Sequence, residues 1–241
     1  MGSSKFTRNQ SLVHEIIQIS LGMPFVKQDL ETIYRKHHEQ GSRYGYLYCH
    51  GSRGQYLKEW IGQGKTVLDL GCRDGMLTSF YTQGNRVVGA DIDRKALELI
   101  QRKLGIETHW VDLNVEWPFP PQSFDVIVSC ELIEHLFYLD SFLQKVKETL
   151  KPGGMFIGSV PNAFRMRNRW KFFFGREYET DPTHVRQFSC QSLVITLNMR
   201  FRGVEIVPLQ GKVLPFVPVA PWLPTKVQRL FARDLLWRCW V

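Results

Sequence analysis

Two hydrophobic periodicities alternate along this chain, and the points where one gives way to the other divide it into elements. Short, nearly continuous apolar runs predict buried strands at Val67 to Leu70, Arg86 to Ala90, Ile106 to Asp112, Phe124 to Ser129, Met155 to Val160 and Gly203 to Leu209. Between them the spacing lengthens to three and four. Ala96, Leu97, Ile100 and Leu104 share one helical face, which Asp93 opens as N-cap and Gly105 closes. Phe142, Leu143, Val146 and Leu150 predict a helix that stops before Pro152, and Ser189 caps one reaching Phe201. Leu235 to Val241 closes the chain as an antiparallel strand. Residues 1 to about 60 precede the first strand and are predicted helical, with Ile16, Ile17, Leu21, Leu30, Ile33 and Tyr34 at helix-like spacing. Strands alternating with helices predict an open α/β sheet.

The first strand ends in Asp69-Leu70-Gly71-Cys72-Arg73-Asp74-Gly75, and the second ends on Asp91. Glycines that let backbone approach a ligand, followed by a strand-end carboxylate for ribose hydroxyls, are how such a sheet holds an adenosine. A dinucleotide fingerprint needs three glycines, and counting from Gly71 the second and third fall on Arg73 and Met76. That excludes a nicotinamide or flavin dinucleotide.

The pattern Asp-x-Gly-x-x-x-Gly instead resembles motif I of the class I S-adenosylmethionine (SAM) methyltransferases. Val111-Asp112-Leu113-Asn114 resembles that family's third-strand end, Phe124 to Ser129 its fourth strand, and Leu150-Lys151-Pro152-Gly153-Gly154 its turn before strand five. The resemblance covers residues 66 to 160. It implies a Rossmann-like seven-stranded methyltransferase sheet with helices on both faces, an N-terminal helical preface (1–64), a SAM-binding core (65–160), a substrate cap inserted after strand five (161–190) and a C-terminal helix and strands (191–241), all one domain. It implies SAM-binding roles for Asp69, Gly71, Cys72, Arg73, Gly75, Asp91, Ile92, Asp112, Leu113 and Cys130. Asp69 suits the methionine ammonium, Asp91 the ribose, and Asp112 the adenine amino group. Arg73 departs from the family's glycine. It is tolerated where its φ stays negative, and its side chain stands close to the methionine end. Arg43, Tyr44, Tyr46 and Arg53 are candidates to close over the cofactor, or else surface and packing residues.

With 44% hydrophobic and 22% charged residues, the chain has the composition of an ordinary globular protein. Five scattered cysteines with no Cys-x-x-Cys predict free thiols in a reducing, cytoplasmic setting. No apolar run is long enough to span a bilayer. The formal net charge of +8 lies entirely after residue 160, where 13 basic residues face 5 acidic ones. Its densest part, 165–176, interleaves cations with Trp170, Phe172, Phe173 and Phe174. Three partners fit this pattern: the chain's own core, taking the aromatics while the cations face water; an anionic membrane surface or lipid-linked substrate, touched peripherally; and nucleic acid, ranked last.

After strand four comes Glu131-Leu132-Ile133-Glu134-His135. A helix starting near Glu131 would put Glu131, Glu134 and His135 on one face at the carboxyl end of a strand, a donor set suited to Mg²⁺ or Mn²⁺. Glu-x-x-Glu-His resembles the metal motif of ubiquinone-pathway O-methyltransferases and of small-RNA 2′-O-methyltransferases, with His184 as a further ligand from the cap. The same motif also occurs in this family without a metal. Without a metal, His184 is the first candidate for the base and His135 the second. His14, His37, His38, His50 and His109 lack partner spacing and are expected to be ordinary residues. Residues 160–241 resemble bacterial glycan and secondary-metabolite methyltransferases. The leading expectation is O-methylation of a small molecule or glycan. RNA 2′-O-methylation with a metal-dependent diol site and a non-catalytic SAM-binding protein are the alternatives.

Overall fold

The structure is a computed structural model, and it describes residues 27–46, 50–178, 181–214, 217–220 and 222–241. The expectations for Ile16, Ile17, Leu21, His14 and Cys49 fall outside those residues.

Five parallel strands form the half of the sheet that carries the nucleotide-type motif. They are β1 (Thr66–Leu70), β2 (Arg86–Asp91), β3 (Glu107–Trp110), β4 (Phe124–Cys130) and β5 (Leu150–Pro161). Beyond β5 lie β6 (Arg202–Leu214), a two-residue β7 (Val217–Pro218) and β8 (Ala232–Trp240), which runs antiparallel to both β5 and β6. The order across the sheet is 3-2-1-4-5-8-6-7. Without the two-residue strand it is the 3-2-1-4-5-7-6 mixed sheet of the methyltransferase fold, with helices on both faces.

Alternation along each strand divides the core between those faces. Leu68, Ile127, Phe156 and Trp237 pack on one side with Phe142, Leu143 and Val146 of α4 (Leu139–Thr149) and Leu193 and Leu197 of α6 (Cys190–Asn198). Their neighbours Val67, Val126, Ile157 and Leu236 pack on the other side with Leu57 and Ile61 of α2 (His50–Ile61). The remaining helices are α1 (Lys27–Gln40), α3 (Arg94–Leu104), α5 (Met166–Phe173) and α7 (Thr225–Phe231).

The caps follow the sequence. Asp93 accepts the Ala96 amide at 3.2 Å, Gly105 ends α3 at φ +65°, and Ser189 with Ser192 forms a capping box at α6. Several boundaries differ from expectation: α6 ends at Asn198, short of Phe201, and β8 begins at Ala232, ahead of Leu235. The third strand is shorter, at Glu107–Trp110, and β6 runs on to Leu214 because β8 pairs with it along most of its length. The helix expected from Glu131 does not form. Glu131 is still paired with β5 through its amide, which donates to Ser159 O at 2.8 Å, and its backbone is left-handed at φ +53°. Only a single 3₁₀ turn, Ile133–His135, follows, and α4 starts at Leu139. The three candidate ligands therefore do not share a helical face.

Between β5 and α6 the cap leaves the sheet and returns, its ends joined by a bridge between Asn162 and Phe188. Among the described residues no helix is long and apolar enough to cross a membrane. Cys72, Cys130, Cys190 and Cys239 are unpaired thiols.

Candidate active site

A cavity of about 500 Å³ lies at the carboxyl ends of β1, β2 and β4, where open α/β sheets bind ligands. Its floor is built from strand ends. Gly71, at φ +73°, turns the chain out of β1. The Arg73 amide then donates to Asp91 Oδ2 at 2.9 Å, while the Asp93 amide donates to Asp91 Oδ1 at 2.9 Å. Asp91 is buried in the cavity wall, and desolvation raises its carboxyl above the usual range. Asp112 holds the Asn114 amide on Oδ1 at 2.9 Å, and its Oδ2 is a buried acceptor with no hydrogen-bond donor among the described residues. Ile92 and Leu113 line the cavity beside these acids. An orphaned acceptor beside an amide-oriented carboxylate fits the amino and ribose groups of an adenosine, so the floor fits SAM.

The other expected floor residues divide. Asp69 lines the cavity, but its Oδ2 accepts from both Thr78 Oγ1 (2.7 Å) and Tyr81 OH (2.6 Å). Burial pushes its carboxyl up to about 6. Cys72 and Cys130 also line the cavity, and burial raises both thiols, Cys130 to about 12. They are walls, not nucleophiles. Gly75 is not in the cavity wall. At φ +77° it lets α3 approach, and a Cβ there would meet Ile100 Cγ1 at 2.6 Å.

Arg73 does not keep the negative φ expected of it. It sits at φ +48°, a left-handed conformation that costs a non-glycine residue about 1–2 kcal/mol. Three contacts offset this: its amide on Asp91, its Nε on Asp74 Oδ1 at 3.0 Å and its guanidinium on Tyr46 O at 3.0 Å. The side chain is thereby drawn to the N-terminal segment, which it ties to the turn.

The opposite wall comes from α1 and the cap. Asp181 is its hub. Asp181 Oδ2 accepts from Arg43 at 2.9 Å and lies 3.1 Å from His37 Nε2 and 3.8 Å from His184 Nε2. The His37 contact is an ion-pair distance off the direction a hydrogen bond needs. Oδ1 holds Thr183 through both its amide and its hydroxyl. Despite burial, its neighbours His37, His184 and Thr183 hold the Asp181 carboxyl far below the usual range. His135 stands edge-on to His184 at 4.7 Å and to Tyr34 at 5.7 Å, with Nδ1 on Thr183 O at 3.0 Å. Burial pushes the His135 imidazole down to about 3, so it is neutral.

His37 and His38 are thus not ordinary residues. His37 joins the cavity wall, and His38 pairs with the helix cap Asp93 at 2.8 Å, as does Tyr44. His37 and His38 follow Tyr34 by three and four residues and Leu30 by seven and eight, which places them on one helical face, but nothing in the sequence links that face to Asp181. Arg53 is fully buried, bonded to Asp234 at 2.8 Å and 3.3 Å from Glu131. Like-charge burial near Glu131 lifts Asp234 to about 6.

Of the four candidate metal ligands, three come together. Donor atoms of Glu134, His135 and His184 lie within 4.8 Å of one another. Both Glu134 carboxylate oxygens are buried without a hydrogen-bond partner among the described residues, and burial together with Glu131 raises that carboxyl well above its usual range. Glu131 is outside the group, held by Ser159 Oγ at 2.9 Å and by Arg53. A neutral imidazole and an orphaned carboxylate suit a divalent cation, and they equally suit a protonated Glu134.

A family model described as a methyltransferase domain matches residues 41–197. A probable S-adenosylmethionine-dependent methyltransferase of Mycolicibacterium smegmatis is 30% identical over 144 residues, 59% of this chain and 53% of that protein. A ubiquinone biosynthesis O-methyltransferase of Bradyrhizobium sp. strain ORS 278 is 33% identical over 125 residues, 48% of this chain and 47% of the relative. The chain spans about half the length of these curated relatives. A solved structure from Thermotoga maritima, described as a SAM-dependent methyltransferase and possible histamine N-methyltransferase, superposes with a TM-score of 0.64 at 14% identity, over 87% of this chain and 96% of that one. At that identity the likeness shows the fold alone. The chain belongs to the class I SAM-dependent methyltransferases.

Proposed function

We propose that this member of the SAM-dependent methyltransferases transfers a methyl group to a hydroxyl of a small molecule, secondary metabolite or glycan, with His184 as the base and Asp181 as its positioning residue. One observation carries the proposal: a single cavity is lined by Asp91 and Asp112 on one side and by His184 and Asp181 on the other. When bound, SAM supplies an electrophilic methyl carbon on a sulfonium. Asp91 would take the ribose hydroxyls and Asp112 Oδ2 the adenine amino group. A hydroxyl needs a base to become a nucleophile, and alignment lowers the barrier further, by about 7–11 kcal/mol in favourable systems. Of the two candidate bases, His135, held near 3, is too weak near neutrality, which leaves His184. His184 would take the hydroxyl proton of the acceptor into its imidazole as the methyl group that SAM supplies moves to that oxygen. The ubiquinone O-methyltransferase relative supports oxygen as the accepting atom.

Titration calorimetry with SAM tests the first half. Binding is expected, and a folded protein that binds none would overturn the proposal. SAM binding without methyl transfer to any of a broad panel of hydroxyl acceptors would instead favour a non-catalytic SAM-binding protein.

The orphaned Glu134 carboxylate favours one second reading, in which Glu134, His135 and His184 hold Mg²⁺ or Mn²⁺ and adjacent hydroxyls of the acceptor are bound there. Loss of activity in chelator, restored by Mg²⁺ or Mn²⁺, supports it. Full activity in excess chelator leaves His184 as the base.

A further inference from the structure

Helix α5 is amphipathic the wrong way round. Its buried residue is polar: Asn168, 9% exposed, donates to Ala163 O at 2.9 Å. Its apolar face looks outward. Trp170, Phe173 and Phe174 are spaced i, i+3 and i+4 and pack on one another, with Trp170 and Phe174 stacked at 6.1 Å and Phe173 and Phe174 edge-on at 5.3 Å. Yet they are 56%, 75% and 66% exposed, and Phe172 beside them is 73% exposed. The aromatics of 165–176 therefore do not pack on the chain's own core. A contiguous exposed aromatic cluster on a globular protein marks a contact surface.

The cations decide what it contacts. Arg167, Arg169 and Arg176 are exposed around the aromatics, Lys171 is half-buried among them, and the first acid after the cluster is Glu177. Aromatic rings ringed by basic residues on a short helix match a bilayer interface with anionic headgroups: the rings enter the acyl boundary while the cations meet phosphate. The same helix turns inward to the cavity, since Asn168 and, just before it, Arg165 are part of the cavity wall. We propose that α5 is a docking helix for an anionic membrane surface. Docked there, the protein has its cavity wall one helix away from the bilayer. The membrane contact itself does not depend on the methyl-transfer proposal.

Co-sedimentation with vesicles in the absence of SAM tests the two separately. Tighter binding is expected to phosphatidylcholine vesicles containing 30% phosphatidylglycerol than to pure phosphatidylcholine, by at least about ten-fold, and it should weaken as salt is raised. The F172S/F173S variant should lose at least about ten-fold in vesicle affinity while its calorimetric SAM affinity is unchanged. The R167E/R176E variant, at two exposed positions, should lose the preference for phosphatidylglycerol, about five-fold or more per reversed charge. It keeps the test decisive if the first variant is unstable. No sedimentation with either vesicle would overturn the proposal, as would binding that neither variant changes. If a short single-stranded RNA binds the wild type and F172S/F173S weakens that binding but not vesicle binding, the face belongs to RNA. If ultracentrifugation shows a dimer that F172S/F173S converts to monomer without vesicle binding, it belongs to a second copy. Loss of SAM binding in the wild type would strike the methyl-transfer proposal and leave this one standing.

Discussion

The floor and the roof of the cavity are assembled in opposite ways. On the floor, Asp69, Asp91 and Asp112 are each fixed by groups within 18 residues in sequence. Asp112 is held by Asn114, Asp69 by Thr78 and Tyr81, and Asp91 by the amides of Arg73 and Asp93. On the roof, Asp181 is held by Arg43, 138 residues away, and by His37 on α1. The floor depends on strand ends that the sheet fixes in any case. The roof exists only when α1, the cap and the turn at Glu134 are all docked, as they are through the amides of Val185 and Arg186, which donate to Glu134 O. On the proposed function, a cofactor platform and a separately assembled acceptor wall let binding and proton transfer be changed independently.

That independence can be broken, and the largest expected effect is at His184. His184→Ala should lower kcat by roughly 10²–10⁴-fold, the range for loss of a general base, while the Kd for SAM stays within about two-fold. Equal losses in both would merge floor and roof into one unit. Asp91→Asn should do the reverse. It removes a charged acceptor from the proposed ribose site, and SAM should bind roughly 10–100-fold more weakly while kcat changes less. Asp181→Asn should reduce kcat by roughly ten-fold with partial rescue by Asp181→Glu, as for other carboxylates that orient an imidazole, and with the SAM Kd moving less than about three-fold. A purely structural Asp181 would show no such rescue in kcat.

The smallest effect is in acid stability. His135 stays neutral in the folded chain down to about 3, whereas an unfolded histidine takes a proton near 6.5. The unfolded state therefore binds more protons in that window, and His135 lowers stability as pH falls from about 6.5 towards 3. His135→Phe should flatten that decline. Relative to wild type, its melting temperature should rise by roughly 2–5 °C between pH 7 and pH 5.5, where the linkage amounts to about one pKa unit. An unchanged difference across that range would mean that His135 is not buried neutral and that the roof is more open than the structure shows.

Floor and roof also differ in how far the sequence discloses them. Asp91, Asp112 and Gly71 were legible because a strand end, a tight turn and a carboxylate follow each other within a few residues. Gly75 was legible as a required glycine, but its reason is the approach of Ile100 on α3 rather than of a ligand. Arg73 read as a blemish. It is a left-handed residue whose side chain ties the turn to Tyr46, a partner the turn itself does not reveal. Glu131 does not follow the helical spacing, because its segment is still paired to β5. His37 and His38 were passed over because each one's partner acid is supplied by a distant element.

By itself, the sequence determined the order of strands and helices, the strand-end acids and Gly71 that the floor brings together, and the absence of a dinucleotide fingerprint. These follow from local backbone requirements and from which residues must avoid water, and both are written in short windows. Tertiary structure decided three things. It chose which histidines meet Asp181, and it sent Glu131 to Arg53 rather than to Glu134. It also turned the aromatic face of α5 outward. Helical periodicity shows that Trp170, Phe173 and Phe174 share a face. Which way that face points depends on what else is there to cover it, and here the buried place went to Asn168.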